Sequence, residues 1–261
     1  MLIKLITKIK NYLIFKFNYK LHKLLFKQSD LFWKLRSEII LRVKSQEEWY
    51  CYNEIFIDEE YDIPIKMTIE KEDCNRALNF LDLGANVGFF TFRVVDLIKR
   101  SSRPNKDFNI ILIEGSPSTF KELKSRLSEQ PELSKKATLL NNLIGYKHGS
   151  DLIYECNEHI RNSIFKTEMS KGKNINYLDI NSIKETFPEI DLLKCDIEGS
   201  ELIFLKTYKD DLMLRVKSAV FELHHNFCNP QDCIDLMKNI GFSYHKKLRT
   251  SEITSLHYFQ K

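Results

Sequence analysis

The chain lacks several features that would place it in a specialised class of protein. Its six cysteines include no Cys-x-x-Cys pair and no common zinc spacing, which predicts isolated reduced thiols and favours the cytoplasm. No apolar run approaches the roughly 20 residues that a membrane-spanning helix needs, and no small-residue cleavage site follows the N-terminal segment. These absences argue against a zinc module, an integral membrane protein and a secretory signal.

Acidic residues are absent from the first 28 positions, which carry seven lysines. Over the whole chain, 40 basic and 36 acidic side chains give a net charge of +4, a balance that does not indicate a nucleic-acid-binding protein. With 261 residues, 43% of them hydrophobic, the chain can form one α/β domain with an N-terminal extension. We expect the extension to cover residues 1–74 and the domain residues 75–261.

The lysine-rich segment, residues 1–28, has the pattern of a basic amphipathic helix. At about 100° per residue, its apolar side chains fall on one side and six of its seven lysines on the other. The apolar side consists of Leu2, Ile3, Ile6, Leu13, Ile14, Phe17, Leu21, Leu24 and Leu25. The pattern predicts either peripheral contact with a membrane surface, or packing on the chain's own domain or on a second subunit in a homodimer. Beyond it, helix signals over 29–45 precede a strand-like patch over 53–70, without a motif of assigned chemistry.

The first motif with a chemical meaning follows a short buried strand at 79–83. Gly84-Ala85-Asn86-Val87-Gly88 comes next, and then a helical stretch, which is the first unit of a doubly wound, mostly parallel sheet. A dinucleotide fingerprint would be G-x-G-x-x-G, but position 86 is Asn and the glycines are four apart. With Asp82 placed for a positively charged group, the motif suits a ligand without a pyrophosphate. A tight turn with no ligand is the alternative.

The second strand, at 109–113, ends in Glu114. At this position a carboxylate can accept hydrogen bonds from both ribose hydroxyls, although it could instead cap the following helix. A third strand at 137–142 leads through a turn with two glycines to a hairpin strand at 151–154. Polar tips on three consecutive strands predict a nucleoside-binding site.

Acids and imidazoles cluster after the next two strands. Asp196 and Glu198 follow a strand at 190–195, while Glu222 and His224 follow a strand at 218–221. Singly, each has a structural explanation, such as helix capping by Glu198, but together they predict a functional cluster at the carboxyl edge of the sheet. Lys194 shares a strand face with Asp196, and we expect it to be a buried partner for these acids.

Several blocks within residues 79–226 resemble the FkbM family of methyltransferases: LDLGANVGFFTF, ILIEGSPSTFKEL, NNLIGYKHG, and DLLKCDIEGSE followed by VFELHH. The resemblance implies a class I methyltransferase, Rossmann-like α/β fold with S-adenosylmethionine as the cofactor. It implies cofactor contacts at Asp82, Gly84, Ala85, Asn86, Gly88, Glu114, Asn142 and Ser163. Two departures concern cofactor detail: Glu114-Gly115-Ser116-Pro117 stands where the family usually has Glu-Pro, and Ile144 replaces a usual Ala.

Many members of that family methylate sugar hydroxyls, so the resemblance implies an O-methyltransferase acting on a surface glycan or glycolipid. The carbohydrate acceptor would be covered by Tyr154, His159 and Arg161, unless this hairpin has no role. No nucleic-acid partner is expected, because residues 75–261 contain no N-P-P-Y-type tetrapeptide and no basic, aromatic-rich stripe. The missing G-x-G-x-x-G disfavours a nicotinamide oxidoreductase. The remaining alternative is a non-catalytic scaffold at a membrane surface.

Methyl transfer to an alcohol needs an aligned acceptor and removal of its proton. Two routes fit the catalytic candidates Asp196, Glu198, Glu222 and His224. In the first, which we favour, His224 is the general base and Asp196 or Glu222 orients it. In the second, Asp196 and Glu222, with or without His224, bind Mg²⁺ or Mn²⁺, which polarises the acceptor oxygen.

Overall fold

The computed structural model describes residues 17, 21, 24–26, 28, 29, 31–71, 76–154 and 172–261. The strands are β1 Leu31–Lys34, β2 Ile40–Val43, β3 Leu78–Leu83, β4 Phe108–Ile113, β5 Ala137–Leu140, β6 Ser150–Tyr154, β7 Gly172–Asn176, β8 Ile190–Cys195, β9 Val216–His224, β10 Tyr244–Thr250 and β11 Thr254–Gln260. The α-helices are α1 Gln46–Tyr52, α2 Asp62–Lys71, α3 Phe89–Arg100, α4 Pro117–Ser128, α5 Pro131–Ser134, α6 Glu201–Tyr208 and α7 Pro230–Asn239. A π-helical turn covers Asn53–Ile57, and 3₁₀ turns cover Ile180–Ile183 and Met213–Arg215.

Seven strands form the central sheet in the order β10-β11-β9-β8-β3-β4-β5. The pairs β9–β8, β8–β3, β3–β4 and β4–β5 are parallel, whereas β11 runs antiparallel to both of its neighbours. Every residue of β3 and β8 is buried, as expected for central strands of a parallel sheet covered on both faces. The predicted Rossmann-like, mostly parallel α/β fold is therefore confirmed.

Each face of the sheet carries its own hydrophobic core. On one face α3 packs together with side chains from the N-terminal segment, such as Leu41, Val43 and Ile65. On the other face, residues of α6 and α7 pack against β8 and β9. Residues 31–71 therefore share a core with the sheet. The boundary expected between residues 74 and 75 lies outside the described residues and stays a prediction.

The expected secondary structure of residues 29–70 was wrong. The part with helix signals forms the antiparallel β1–β2 hairpin, in which Leu41 and Val43 are buried on alternate positions, a strand period. The strand-like patch contains instead the π-helical turn and α2, where Ile65 and Ile69 are buried four residues apart, a helix period. Burial against the sheet thus determines the secondary structure of both segments.

Two further expectations concern cysteines and membranes. Cys51, Cys195, Cys228 and Cys233 are free thiols in the structure. Within the described residues, no helix is long and apolar enough to cross a membrane. Of the predicted amphipathic segment, residues 17, 21, 24–26 and 28 are described, and they are helical.

Candidate active site

The strand ends that carry the predicted site residues are neighbours in the sheet. Because β9, β8, β3 and β4 are adjacent and parallel, the residues after them meet at one edge. A cavity of about 640 Å³ opens there. Five segments contribute to its wall: residues 51–61, 85–90, 194–198, 222–224 and 249–254.

The backbone conformation of the turn after β3 requires glycine at positions 84 and 88. Gly84 has φ +72°, and a Cβ added to it would lie 1.7 Å from the carbonyl oxygen of Asp196. Gly88 has φ +94° and precedes α3, and a Cβ there would lie 2.9 Å from Leu123 Cδ1. Asn86 also has a positive φ of 49°, which Asn tolerates better than most residues. Glycine at position 84 therefore lets the ends of β3 and β8 touch.

Asp82 and Lys194 form a buried ion pair behind this turn. Asp82 is fully buried and accepts a hydrogen bond of 2.9 Å from the Thr91 hydroxyl. Lys194 Nζ donates to the Gly84 carbonyl at 2.6 Å and lies 3.6 Å from Asp82 Oδ1 and 3.4 Å from Asp196 Oδ2. Burial opposes the charge of Lys194, but Asp196 and Asp82 hold its pKa above the usual range. The predicted role of Lys194 as a buried partner is confirmed.

Glu114 lies at the tip of β4 and connects two turns. Its carboxylate accepts hydrogen bonds from the backbone N–H of Asn86 at 2.9 Å and of Ser116 at 2.8 Å. Burial raises the pKa of Glu114 to about 7, against the lowering effect of these hydrogen bonds. The carboxylate oxygen atoms of Glu114 retain lone pairs that can accept further hydrogen bonds. The contact with ribose hydroxyls stays a prediction.

The remaining predicted cofactor contacts lie on the cavity wall, on the loop after β5 and outside the described residues. Ala85 and Asn86 line the cavity. Asn142 Nδ2 donates to the Asn176 carbonyl at 3.3 Å, on the loop after β5. Ser163 lies outside the described residues, as do His159 and Arg161, predicted to cover the acceptor.

The centre of the catalytic cluster is His224, held between two carboxylates. Its Nδ1 lies 3.0 Å from Glu201 Oε1, and its Nε2 lies 3.4 Å from Glu198 Oε2. Burial alone would lower the pKa of His224, but the hydrogen bonds to Glu198 and Glu201 raise it to about 11. The two carboxylates therefore stabilise the protonated form of the ring, in which neither nitrogen atom can accept a proton. The role of His224 as general base stays a prediction.

Glu201 was missed as a functional residue, because the sequence suggested only a place on the first turn of a helix. It is fully buried at the start of α6. Besides contacting His224, its Oε1 accepts hydrogen bonds from the backbone N–H of Ile197 at 3.2 Å and of Gly199 at 3.0 Å. Glu198, between those two residues, has a left-handed φ of 53°. Glu201 thus fixes both the loop that carries Glu198 and the imidazolium that contacts it.

Glu222 belongs to a different ion pair. Its Oε1 accepts a hydrogen bond of 2.8 Å from Arg249 Nη2, while Arg249 Nε donates to Glu60 Oε2 at 2.8 Å. The prediction that Asp196 or Glu222 orients His224 is wrong, since Glu201 and Glu198 make those contacts. Among the described residues, Asp196, Glu201 and His224 offer ligand atoms within 4.8 Å of one another. Asp196 and Glu222 both line the cavity, and their predicted role as a metal pair stays a prediction.

Residues 51–61 form a second wall of the cavity, and no sequence motif marked them as part of a site. Glu54 lies on the π-helical turn and lines the cavity together with Cys51, Ile55 and Tyr61. Burial raises the pKa of Glu54 to about 7; the attraction of Arg249 opposes this shift, and Glu222 adds to it. Single-turn π-helices often occur at functional sites.

A chain of hydrogen bonds backs the part of the wall at 249–254. His225 Nδ1 lies 3.3 Å from the Glu252 carbonyl and must donate to it, so its Nε2 accepts from the Ser255 hydroxyl at 2.9 Å. Ser255 Oγ then accepts from His257 Nε2 at 2.8 Å, and His257 Nδ1 accepts from His245 Nε2 at 2.9 Å. Burial lowers the pKa of His257 to about 4, consistent with a neutral ring that both donates and accepts.

The turn after β3 fits a small ligand with hydrogen-bond donors. Asn86 lines the cavity, and its buried Oδ1 has no hydrogen-bond donor among the described residues. Such an acceptor atom normally has a partner. The amino and ribose groups of an adenosyl amino acid offer donors of this kind.

Comparison with known proteins identifies the domain. The Methyltransferase FkbM domain family matches residues 82–244. No curated protein sequence matches the chain significantly.

The chain is similar to solved structures at low identity. The METTL16 methyltransferase domain (crystal form 2) has 12% identity and a TM-score of 0.50, over 90% of this chain and 87% of that one. Methyltransferase FkbM from Methylobacillus flagellatus KT has 16% identity and a TM-score of 0.49, over 70% of this chain and 43% of that one. The match thus spans less than half of the Methylobacillus protein.

Proposed function

The chain belongs to the FkbM family of methyltransferases, and we propose that it transfers a methyl group to a sugar hydroxyl of a surface glycan or glycolipid. The fold implies S-adenosylmethionine as the methyl donor. The observation that carries the proposal is the position of the cavity, between the glycine turn after β3 and the Glu198–His224–Glu201 cluster.

Residues of the first two strand ends would hold the methyl donor. Ala85 and Asn86 line the cavity, and we expect the Glu114 carboxylate to accept hydrogen bonds from the ribose hydroxyls. When bound, S-adenosylmethionine supplies an electrophilic methyl group. The hydrogen bond from Asn86 N–H to Glu114 fixes the two cofactor-binding elements relative to each other, so the site is formed before the ligand arrives.

Glu198 is the proton acceptor that the geometry supports best. Its side chain lines the cavity and is about one-third exposed, whereas Glu201 is fully buried. Burial raises the pKa of Glu198 towards neutral pH, although the hydrogen bond with His224 lowers it. A base with a pKa near the working pH is efficient in proton transfer. His224 and Glu201 are then positioning residues, and Asp196 completes the acidic lining.

A metal-assisted route has one supporting observation, the group of Asp196, Glu201 and His224. If Mg²⁺ or Mn²⁺ contributes, Glu201 and His224 would bind it together with Asp196, in place of the predicted Glu222. Adding each ion at millimolar concentration to the binding and transfer experiments below, beside a chelator control, tests this. No change in either readout would exclude the metal-assisted route.

The first experiment is calorimetric titration of the full chain with S-adenosylhomocysteine. We expect Glu114→Gln to weaken binding by about tenfold, the cost of one hydrogen bond to a charged group, and Glu185→Gln, at an exposed distant position, to leave it unchanged. Absence of binding to a folded wild-type chain would overturn the proposal.

Transfer is measured with labelled S-adenosylmethionine and lipid-linked or free glycans. We expect Glu198→Gln to lose at least about 100-fold in rate while S-adenosylhomocysteine binding is retained. Cofactor binding without transfer to any glycan would favour the non-catalytic scaffold.

We also propose that residues 1–28 contact the cytoplasmic face of an anionic membrane. Phe17, Leu21, Leu24 and Leu25 are exposed, which fits an unpartnered apolar face beside lysines. Co-sedimentation with anionic vesicles tests this, with Leu21→Glu/Leu24→Glu as the variant. Binding that is unaffected by the variant would exclude this face as the contact, and dimerisation through it would appear in the sedimentation coefficient.

A further inference from the structure

The basic side chains that line the cavity are all engaged with acids. Lys194 contacts Asp82 and Asp196, His224 contacts Glu198 and Glu201, and Arg249 contacts Glu60 and Glu222. Each positive charge is therefore shared between two carboxylates. Among the described residues that line the cavity, no basic side chain without an acidic partner is left to neutralise an anionic group on a substrate.

Glu54 differs from the other partly buried acids that line the cavity. Glu222 and Glu198 each have a basic partner, but no described side chain donates a hydrogen bond to the Glu54 carboxylate. It is half-buried on the π-helical turn. Its oxygen atoms are therefore available to a ligand in the cavity.

We propose that Glu54 determines acceptor specificity: it accepts hydrogen bonds from an uncharged or amine-bearing sugar unit and repels a unit that carries phosphate or carboxylate. This inference rests on the proposed sugar methyltransferase function and names its substrate class. The methylated unit then belongs to a neutral or amino sugar, rather than to a nucleotide sugar or a uronic acid.

The physical basis is the asymmetry between attraction and repulsion at a partly desolvated carboxylate. Sugar hydroxyls and an ammonium group both donate hydrogen bonds to a carboxylate, and such bonds to charged groups are stronger than neutral ones. A phosphate or carboxylate donates none when ionised. Placing like charges together in an interface costs several kcal/mol, and here no free cation offsets the cost.

The test uses the full chain saturated with S-adenosylhomocysteine and four small probes that differ in charge. These are methyl glucoside, methyl glucosaminide, methyl glucuronide and glucose 6-phosphate, titrated by ligand-observed NMR at about pH 8.5, where Glu54 is ionised because burial raises its pKa only to about 7. We expect the first two to bind at least about tenfold more tightly than the two anionic sugars, since like-charge contacts cost that much or more.

Two variants locate the effect. Glu54→Lys is expected to remove or invert the tenfold preference. The matched control, Glu252→Gln, removes one acidic charge from an exposed position of the same cavity wall and is expected to retain the preference. Unchanged affinity for S-adenosylhomocysteine shows that both variants are folded.

Several outcomes overturn the inference while leaving the proposed function intact. These are equal binding of all four sugars, binding of the anionic sugars alone, binding of none of them, or an unchanged preference in Glu54→Lys. If S-adenosylhomocysteine itself fails to bind the wild-type chain, the proposed function falls, and the specificity inference falls with it.

Discussion

The two walls of the cavity are built in different ways. On the sheet edge, Asp82, Lys194, Glu201 and His224 are joined by hydrogen bonds and ion pairs to backbone groups and to one another. On the second wall, the π-helical turn presents Glu54 without a hydrogen-bonding partner among the described residues. The family match covers the first wall and stops short of residues 51–61 and of Arg249. Under the proposed function, we infer that the rigid wall on the sheet edge carries out the methyl transfer that the family shares. The wall formed by residues 51–61 then contacts the acceptor.

The largest effect expected on the rigid wall comes from Gly84→Ala. A Cβ at this position would meet the Asp196 carbonyl at 1.7 Å, so strand ends must separate, at a cost of about 4 kcal/mol in the free energy of unfolding. Urea denaturation measures this. Gly241→Ala is the control, because φ is also positive but no atom lies within 4 Å, and about 1 kcal/mol is expected. Equal losses would show that the contact between the strand ends does not matter.

Arg93→Ala tests how the second wall is attached to the first. Arg93 lies on α3 and makes two hydrogen bonds of 2.7 Å with Asp62, at the start of α2, and both side chains are buried. Its removal leaves the buried Asp62 carboxylate with only the half-exposed Lys66, 2.8 Å away, at an expected cost of about 3 kcal/mol. Arg100→Ala, whose side chain is half-exposed on the same helix, should cost under about 1 kcal/mol. Similar small losses in both variants would mean that the ion pair does not hold the wall.

Glu201→Gln tests whether Glu201 stabilises the charged form of His224 on the rigid wall. The charge that stabilises the imidazolium disappears, so we expect a loss of about 2.5 kcal/mol in unfolding free energy and a lower pKa for His224, followed by NMR titration. Glu185→Gln on an exposed turn is the control. A His224 titration unchanged in Glu201→Gln would contradict the positioning role.

Mild acid is expected to weaken the segment of the cavity wall formed by residues 249–254. The pKa of His257 is about 4, below its unfolded value, so the folded state binds this proton less readily than the unfolded state does. Stability is therefore complete above about pH 6.5 and is lost as the pH falls towards 4, by about 2 kcal/mol between pH 7 and 5. His257→Asn should reduce this slope in denaturation curves. An unchanged slope would show that other groups cause it.

Much of the sheet edge was predictable from the sequence because its signals are local. β8 was placed at 190–195 and has those limits, and α3 begins at Phe89 as expected. The contacts of His224 were not predictable, since they depend on Glu201, 23 residues away, and the DLLKCDIEGSE block that ends at Glu201 does not show what this side chain touches. The second wall was missed for a related reason: residues 53–70 have mixed periodicity, and packing against the sheet decides their structure.

The contact at Gly84 couples the glycine turn after β3 to the loop after β8. The backbone at Gly84 touches the backbone of Asp196 with no side chain between them, so no side-chain substitution can adjust the spacing of these two segments. Under the proposed function, different acceptors are therefore accommodated by changes at residues 51–61 of the cavity wall, such as Glu54.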